Sequence, residues 1–485
     1  MKSKKLLSLF ISVLTLTSVA GCGGNDNTSS SNNKPSTNNS NTINNSGYEN
    51  ETRLPDDSSI ANKGTITVWV GAESVEYYDK VLHNYRIRNK FPYTFNVVKS
   101  DAGDAAKVFL EDPEKGADIF TVAHDNLAKL TDGQSAILPI TDAKLQQQIK
   151  DDNSETFVDV ISQTRELTSG TKTFMFAVPY VTQSLFLYYN TAVVSEEQAK
   201  TWEGLREAAK AAGSNVKACT FLGKDNFNFS WSILARQMPG NTSTLKLYDD
   251  KKAENCYFQG DDMIAVTKWT QSYFKDPNGA TFPSSSGWEV EITPEKGKNV
   301  GSAVAVVGGA WSYDKAKGAL GDNLGVAKLP TFTTTEKVGS IEAGTTFQSG
   351  SFYDCKAFVM KKSSKYAQYL QEIVGYLASK DVQEGSFVEC NNLPAYKNAA
   401  SEFDALKADT FEAKVANIQY EMEKYSIPQP FGTGELFNQY YYDCGGADLY
   451  EALILDKDGS LSSYEGIKSE LANIENVWKT GKKIV

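Results

Sequence analysis

Thr65-Ile-Thr-Val-Trp-Val70, Phe95-Asn-Val-Val98 and Ala117-Asp-Ile-Phe-Thr-Val122 decide the fold of this chain. Each is a short run rich in β-branched and aromatic residues, the composition of a strand. Gly71 breaks the first run, Ser74 stands where it can N-cap the next element, and Val75, Tyr78, Val81-Leu82 and Tyr85 then recur at helical spacing. Ala105 to Leu110 reads as a short helix before the third run. Strands alternating with helices predict parallel βαβ units, hence an α/β fold. The alternation continues outward. Thr173 to Val178 and Ser184 to Tyr189 read as strands on either side of Pro179. Thr201-Trp202-Glu203 opens a helix to about Ala212, with Gly213 as its stop. Ser302 to Val307, Gly325 to Leu329 and Ala357 to Met360 are strands; Lys365 to Ala378 is an amphipathic helix, and Leu449 to Lys479 is helical. No internal repeat is visible.

The N-terminal end carries a different signal. Lys2, Lys4 and Lys5 precede an apolar run from Leu6 to Ala20 that ends in Val19-Ala20-Gly21-Cys22. A basic start, a short apolar stretch and small residues before a break are the anatomy of a secretory signal. The run is shorter than the roughly 20 apolar residues that a spanning helix needs. The cysteine at the break resembles a bacterial lipobox, which implies a signal peptide over 1–21 and lipidation of Cys22. The following stretch is Asn, Ser, Gly and Thr with few apolar residues, a composition that cannot bury enough surface to order itself. Residues 22–62 are therefore expected to be a disordered tether. The remainder, Lys63 to Val485, exceeds the roughly 250–300 residues at which one core stops growing, so two lobes are expected.

The formal charge is −11, from 49 basic and 60 acidic residues. Such a balance argues against nucleic acid or an anionic membrane surface as partner. Beyond Cys22 the cysteines are Cys219, Cys256, Cys355, Cys390 and Cys444, an odd number without C-x-x-C spacing, so zinc and redox motifs are unsupported. Up to two bridges are open, with Cys219–Cys256 and Cys355–Cys390 nearest in sequence, and free thiols are an equal alternative. Catalytic signatures are missing: the chain has only His83 and His124, and no nucleophile elbow, P-loop or H-E-x-x-H motif. Asp456-Lys-Asp458-Gly459 begins like a calcium loop but lacks the later ligands and reads as a turn. Neither cofactor nor metal is expected. A glycosidase needs only two carboxylates, and no pair is singled out.

Polar and aromatic residues do collect at strand ends, where α/β sheets bind ligands. His124, Asp125 and Asn126 follow Val122; Glu73 follows Trp69-Val70; Trp311 follows Gly308-Gly309. A carboxylate accepts sugar hydroxyls through charge-assisted hydrogen bonds of about 1.5–3 kcal/mol each. An indole offers a flat apolar face to the C–H side of a pyranose. The plainer roles are an N-cap for Asp125, core packing for Trp311 and loop surface for Glu73; His83, on the first helix, reads as a surface or packing residue.

The order of Ile66-Thr-Val-Trp69, Ala117 to Asp125, Val178-Pro179 through Tyr189-Asn190, Thr201-Trp-Glu203, Gly309-Ala-Trp311, Leu329-Pro-Thr-Phe332 and Ile427-Pro-Gln429 resembles the family 1 extracellular solute-binding proteins of ABC sugar importers, the maltose/maltodextrin binders in particular. The resemblance implies a two-lobed periplasmic-binding-protein fold with the ligand cleft between discontinuous lobes, 63–181 with 344–400 and 182–343 with 401–485. It implies ligand contacts by Glu73, His124, Asp125 and Trp311, with Gln183 where maltose binders carry a glutamate. Val122 stands in place of a sugar-contacting tryptophan and Asn126 in place of an arginine. Aromatic plates are expected from Tyr180, from Phe227 or Phe229, and from Phe437, Tyr440 or Tyr441. The implied function is capture of an oligosaccharide, of maltooligosaccharide or similar α-glucan type, for an ABC permease. The implied protein is a monomer without catalysis, held by its lipid at the outer face of the cytoplasmic membrane, as in a Gram-positive cell. The alternatives are an exported glycoside-processing enzyme and a binder of another solute such as a polyamine.

Overall fold

The computed structural model describes residues 51–131, 135–223, 235–238, 248–249, 252–256, 258–429 and 446–480. The opening runs form β1 (Thr65–Val70), β2 (Thr94–Lys99) and β3 (Ile119–Ala123), linked by helices Val75–Asn89 and Ala105–Glu111. β1 lies parallel to both of its neighbours, in register Ile66 to Phe95 and Trp69 to Phe120. The alternation of the sequence thus becomes a parallel βαβ sheet. Its interior is apolar on both faces, so β3 is buried along its whole length.

A hairpin of β4 (Ser162–Leu167) and β5 (Gly170–Met175) leads into β6 (Val178–Ser184) and β7 (Phe186–Asn190). Pro179 was expected to separate strands, but it lies inside β6. A register shift there lets Ala357 face Pro179 while Lys356 faces Val181. Proline has no N–H for the ladder, and a bulge accommodates that loss. The second lobe is built on β7, β8 (Thr220–Phe221), β12 (Ala305–Gly308) and β13 (Leu324–Ala327), in the order β13-β7-β12-β8. Shorter strands intervene in the chain as β9 (Ala235–Met238), β10 (Tyr248–Asp249) and β11 (Lys252–Cys256). β14 (Thr331–Thr333) and β15 (Thr346–Ser349) join β9 in an antiparallel sheet. β16 (Ser351–Met360) then returns to the first sheet, pairing with β3, β6 and the short β17 (Ser426–Pro428).

Two separate hydrophobic cores result. One gathers Ile66, Val68, Tyr78, Phe120, Tyr180 and Phe358; the other gathers Tyr188, Trp202, Phe221, Val307, Phe332 and Leu471. The chain passes between them at Thr182–Ser184 and between Phe352 and Cys355, and the segment from Val382 to Tyr396 packs into both. β15 pairs with second-lobe strands, and Phe387 and Tyr396 already pack in the second core.

Several quoted motifs are structural. The Thr201 hydroxyl accepts from the Gly204 N–H at 2.9 Å and caps the helix Trp202–Ala212. Trp202 is fully buried, and Phe332 stacks on Trp269 at 4.1 Å between ring centres. Residues 51–62 are not part of a free tether. Asn84 accepts from the Leu54 N–H at 2.8 Å and donates to Thr52 O at 3.1 Å, and His83 Nε2 contacts Leu54 O at 2.9 Å. Cys219, Cys355 and Cys390 are free thiols, so the Cys355–Cys390 bridge does not form. The helical C-terminal region is divided into Gly446–Leu455 and Tyr464–Thr480 by the turn at Asp456, whose carboxylate accepts from the Leu461 N–H at 2.8 Å and pairs with Lys275 at 2.7 Å. No helix of the described residues is long and apolar enough to cross a membrane.

Candidate functional site

A cleft of about 680 Å³ opens where the strand ends of the two cores face each other. The first lobe supplies Glu73 after β1, Asp101 and Asp104 after β2, and Asp125, Asn126 and Lys129 after β3. The second lobe supplies Trp311 after β12. Between them lie Gln183 on β6, Asp354 and Lys356 on β16, and Gln429 just beyond β17.

Glycines shape both edges. The indole of Trp311 lies over Gly309, where any added methyl would overlap the ring, and Glu73 folds back over Gly71 in the same manner. Trp311 sits in the turn Ala310–Ser312 and stays 40% exposed. The turn is held by Ser312 Oγ–H donating to Gly309 O at 2.7 Å and by the Ala310 N–H pointing at Gln419 Oε1 at 3.4 Å. Gln419 is fully buried and also donates to Thr182 O at 2.9 Å, which ties the Trp311 turn to the crossing strand β6. Opposite, Asp125 is 7% exposed and accepts from Asn126 Nδ2 at 3.0 Å. That bond aims the carboxylate, which lines the cleft.

Glu73, Asp125, Gln183 and Trp311 thus meet in one cleft. His124 and Tyr180 do not line it. The Tyr180 ring is packed in the first core, 4.4 Å from Phe358, and burial pushes its phenol pKa up. It lies at the β6 bulge, in a stretch whose residues from Val178 to Thr182 are all buried. Val122 is buried too, so the position of the family's tryptophan offers no surface. Phe227, Phe229, Phe437, Tyr440, Tyr441 and Cys22 lie outside the described residues. Asp101 and Asp104 were missed by the sequence reading, although they follow the carboxyl end of β2 and the strand-end rule applies to them equally. Asp354, Lys356 and Gln429 carry no such signal, because they come from crossing strands recruited from distant sequence.

His124 lies fully buried beneath the cleft floor. Its Nε2 is 2.9 Å from Gln429 O, a pure acceptor, so Nε2 carries a proton. Its Nδ1 is 2.6 Å from Asp354 Oδ1 and 3.1 Å from the Cys355 N–H. Burial by itself lowers the His124 pKa, but the hydrogen bond and charge of Asp354, with the charge of Asp125, outweigh it and leave the pKa raised. A histidine with a raised folded pKa adds stability in full below its unfolded pKa of about 6.5, and that stability is lost as pH rises through the folded value. The melting temperature of the wild type is accordingly expected to fall relative to His124→Gln as pH is raised above about 6.5. Parallel melting curves from pH 5.5 to 9 check this, and a constant difference between the two proteins would refute it.

No group of three or more potential metal ligands occurs among the described residues. Two α/β lobes with carboxylates on one wall and an exposed indole on the other define a two-lobed solute-binding protein. The chain belongs to the bacterial extracellular solute-binding protein family, which it matches over residues 82–417. It is 25% identical over 357 residues to the maltooligosaccharide ABC transporter solute-binding lipoprotein of Streptococcus pneumoniae, covering 72% of this chain and 76% of the relative. It is 21% identical over 324 residues to the galactooligosaccharide-binding protein of Bacillus subtilis, covering 65% and 68% respectively. The fold is similar to that of a maltodextrin-binding protein from L. casei solved without ligand, with a TM-score of 0.64 at 19% identity over 85% of this chain and 99% of that one.

Proposed function

We propose that the protein is a lipid-anchored extracellular receptor that captures an oligosaccharide, of maltooligosaccharide or similar α-glucan type, and delivers it to an ABC importer. The chemistry of the cleft carries this reading. A sugar hydroxyl both donates and accepts, and the cleft offers it carboxylates that accept, Lys129 and Lys356 that donate, and the amides of Asn126, Gln183 and Gln429 that do both. Trp311 adds the flat apolar face. The two relatives named above bind oligosaccharides by description, and those of Streptococcus pneumoniae are described as lipoproteins of ABC transporters. Val19-Ala-Gly-Cys22 supports the anchor on Cys22.

The mechanism follows from where the groups sit. A ligand hydrogen-bonded to first-lobe carboxylates and stacked on second-lobe Trp311 touches both lobes only when they approach, so its binding energy favours closure. The closed form then presents itself to the permease. No step breaks a covalent bond, and the receptor acts as a monomer.

A thermal-shift screen of the purified, non-lipidated protein tests the ligand class. Maltooligosaccharides, other α- and β-linked oligosaccharides and polyamines are each added in excess. A solute that binds the native state raises the melting temperature by mass action, with about 2.7 kcal/mol of stabilisation at 100 times its Kd. We expect an oligosaccharide to give the largest rise. A rise from a polyamine alone would replace the sugar reading, the cleft carboxylates Glu73, Asp101, Asp104, Asp125 and Asp354 then outweighing Lys129 and Lys356. Shortened products from labelled maltotetraose would replace it with hydrolysis.

A further inference from the structure

Asp354 does more in this geometry than the cleft description assigns. It is 5% exposed yet lines the cleft. One carboxylate oxygen, Oδ1, is buried and lies 2.6 Å from His124 Nδ1, the one partner it has among the described residues. An ionised carboxylate held out of water without donors is costly, and native structures satisfy such groups with protein, solvent or ligand.

His124 explains how one oxygen is held. Its Nε2–H is committed to Gln429 O, so Nδ1 is the nitrogen that faces Asp354. At 2.6 Å two lone pairs would repel, so with the proton in place it is shared between Nδ1 and Oδ1; when Nδ1 is bare it accepts instead from the Cys355 N–H at 3.1 Å, and the two contacts alternate with protonation. The charged or titratable groups facing this imidazole are Asp354 on β16 and Asp125 from its own turn; Cys355 presents its N–H, and β17 presents a neutral carbonyl. On β16, Lys356 lies two residues from Asp354 on the same face and forms no ion pair among the described residues. Across the ladder, Asp354 is the register partner of Gln183, and both line the cleft.

Resting on the oligosaccharide reading, we propose that Asp354 is a ligand-contacting carboxylate on the crossing strand, that His124 is the positioning residue that turns its second oxygen to a sugar hydroxyl, and that Lys356 is the companion donor. The contact lies at the floor where β16 passes between the lobes, so it grips the ligand from neither wall. It can form before closure, leaving Trp311 to complete the site as the lobes approach.

The test compares wild type, Asp354→Asn, His124→Gln and Lys356→Gln by titration calorimetry at pH 6 and pH 8. Maltotetraose is the first probe, followed by whichever screened solute raises the wild-type melting temperature most. Asp354→Asn is expected to bind at least about tenfold more weakly, the loss of one charge-assisted hydrogen bond. Wild-type affinity is expected to be higher at pH 6, where the shared proton is in place, than at pH 8, with that difference removed in His124→Gln. Equal affinity of Asp354→Asn and wild type overturns the contact, and an unchanged pH difference in His124→Gln overturns the positioning role. If Asp354→Asn does not fold, Lys356→Gln decides: wild-type affinity there overturns the polar floor. A polyamine as the strongest solute overturns the oligosaccharide reading separately, and the same variant ratios measured with that polyamine still decide Asp354.

Discussion

Trp311→Ala should weaken maltotetraose binding by about 10- to 100-fold while leaving the melting temperature of the ligand-free protein nearly unchanged. The ring is 40% exposed, so roughly 100 Å² of a side chain of about 250 Å² remains for a ligand to cover. At about 25 cal/mol per Å², covering it contributes about 2.5 kcal/mol, which lies within the stated range. Little of the second core depends on it, because the indole rests on Gly309 rather than in the interior. Asp125→Ala should act from the other wall with a similar loss, since it removes the carboxylate that Asn126 orients. Titration calorimetry measures both. Unchanged affinity in both variants, with binding intact in the wild type, would remove this cleft as the ligand site.

Trp202→Ala should act on the fold instead, lowering stability by about 3–5 kcal/mol. Trp202 is completely buried, and its ring packs 5.6 Å from Tyr273 and 6.4 Å from Trp269. Its Nε1–H donates to Ser349 Oγ at 2.9 Å, and Tyr273 donates to its carbonyl at 2.8 Å. Removing the indole leaves both a cavity and an unsatisfied hydroxyl beside β15. Chemical denaturation should show a lower midpoint with the slope retained. A midpoint within experimental scatter of the wild type would show that the second core closes over the gap. The two tryptophans differ in place: Trp311 lines the cleft half-exposed, and Trp202 lies inside the second core.

That contrast marks how far the sequence could be read. Thr65–Val70, Ile119–Ala123 and the helix after Thr201 were visible from β-branched runs, helical spacing and a capping hydroxyl, because those signals are local. Glu73, Asp125 and Trp311 were visible because a residue just past a strand end faces the cleft in this class of sheet. Asp101 and Asp104 were legible by the same rule. His124 and Tyr180 lie buried instead: His124 follows the strand but turns under it beside Asp354, and Tyr180 packs on Phe358 in the first core.

By itself, then, the sequence determined the α/β alternation, the two-lobed expectation and the strand-end residues that line the cleft. The tertiary structure alone decided where the chain crosses between cores, which of His124 and Asp125 reaches the cleft, and that Asp354 and Lys356 form its floor. The reason is physical. Periodicity and capping act within a few residues, whereas β16 takes its place beside β3 and β6 only through pairings that span more than a hundred residues of chain. No local pattern near Asp354 announces which side chains those pairings will bring to it.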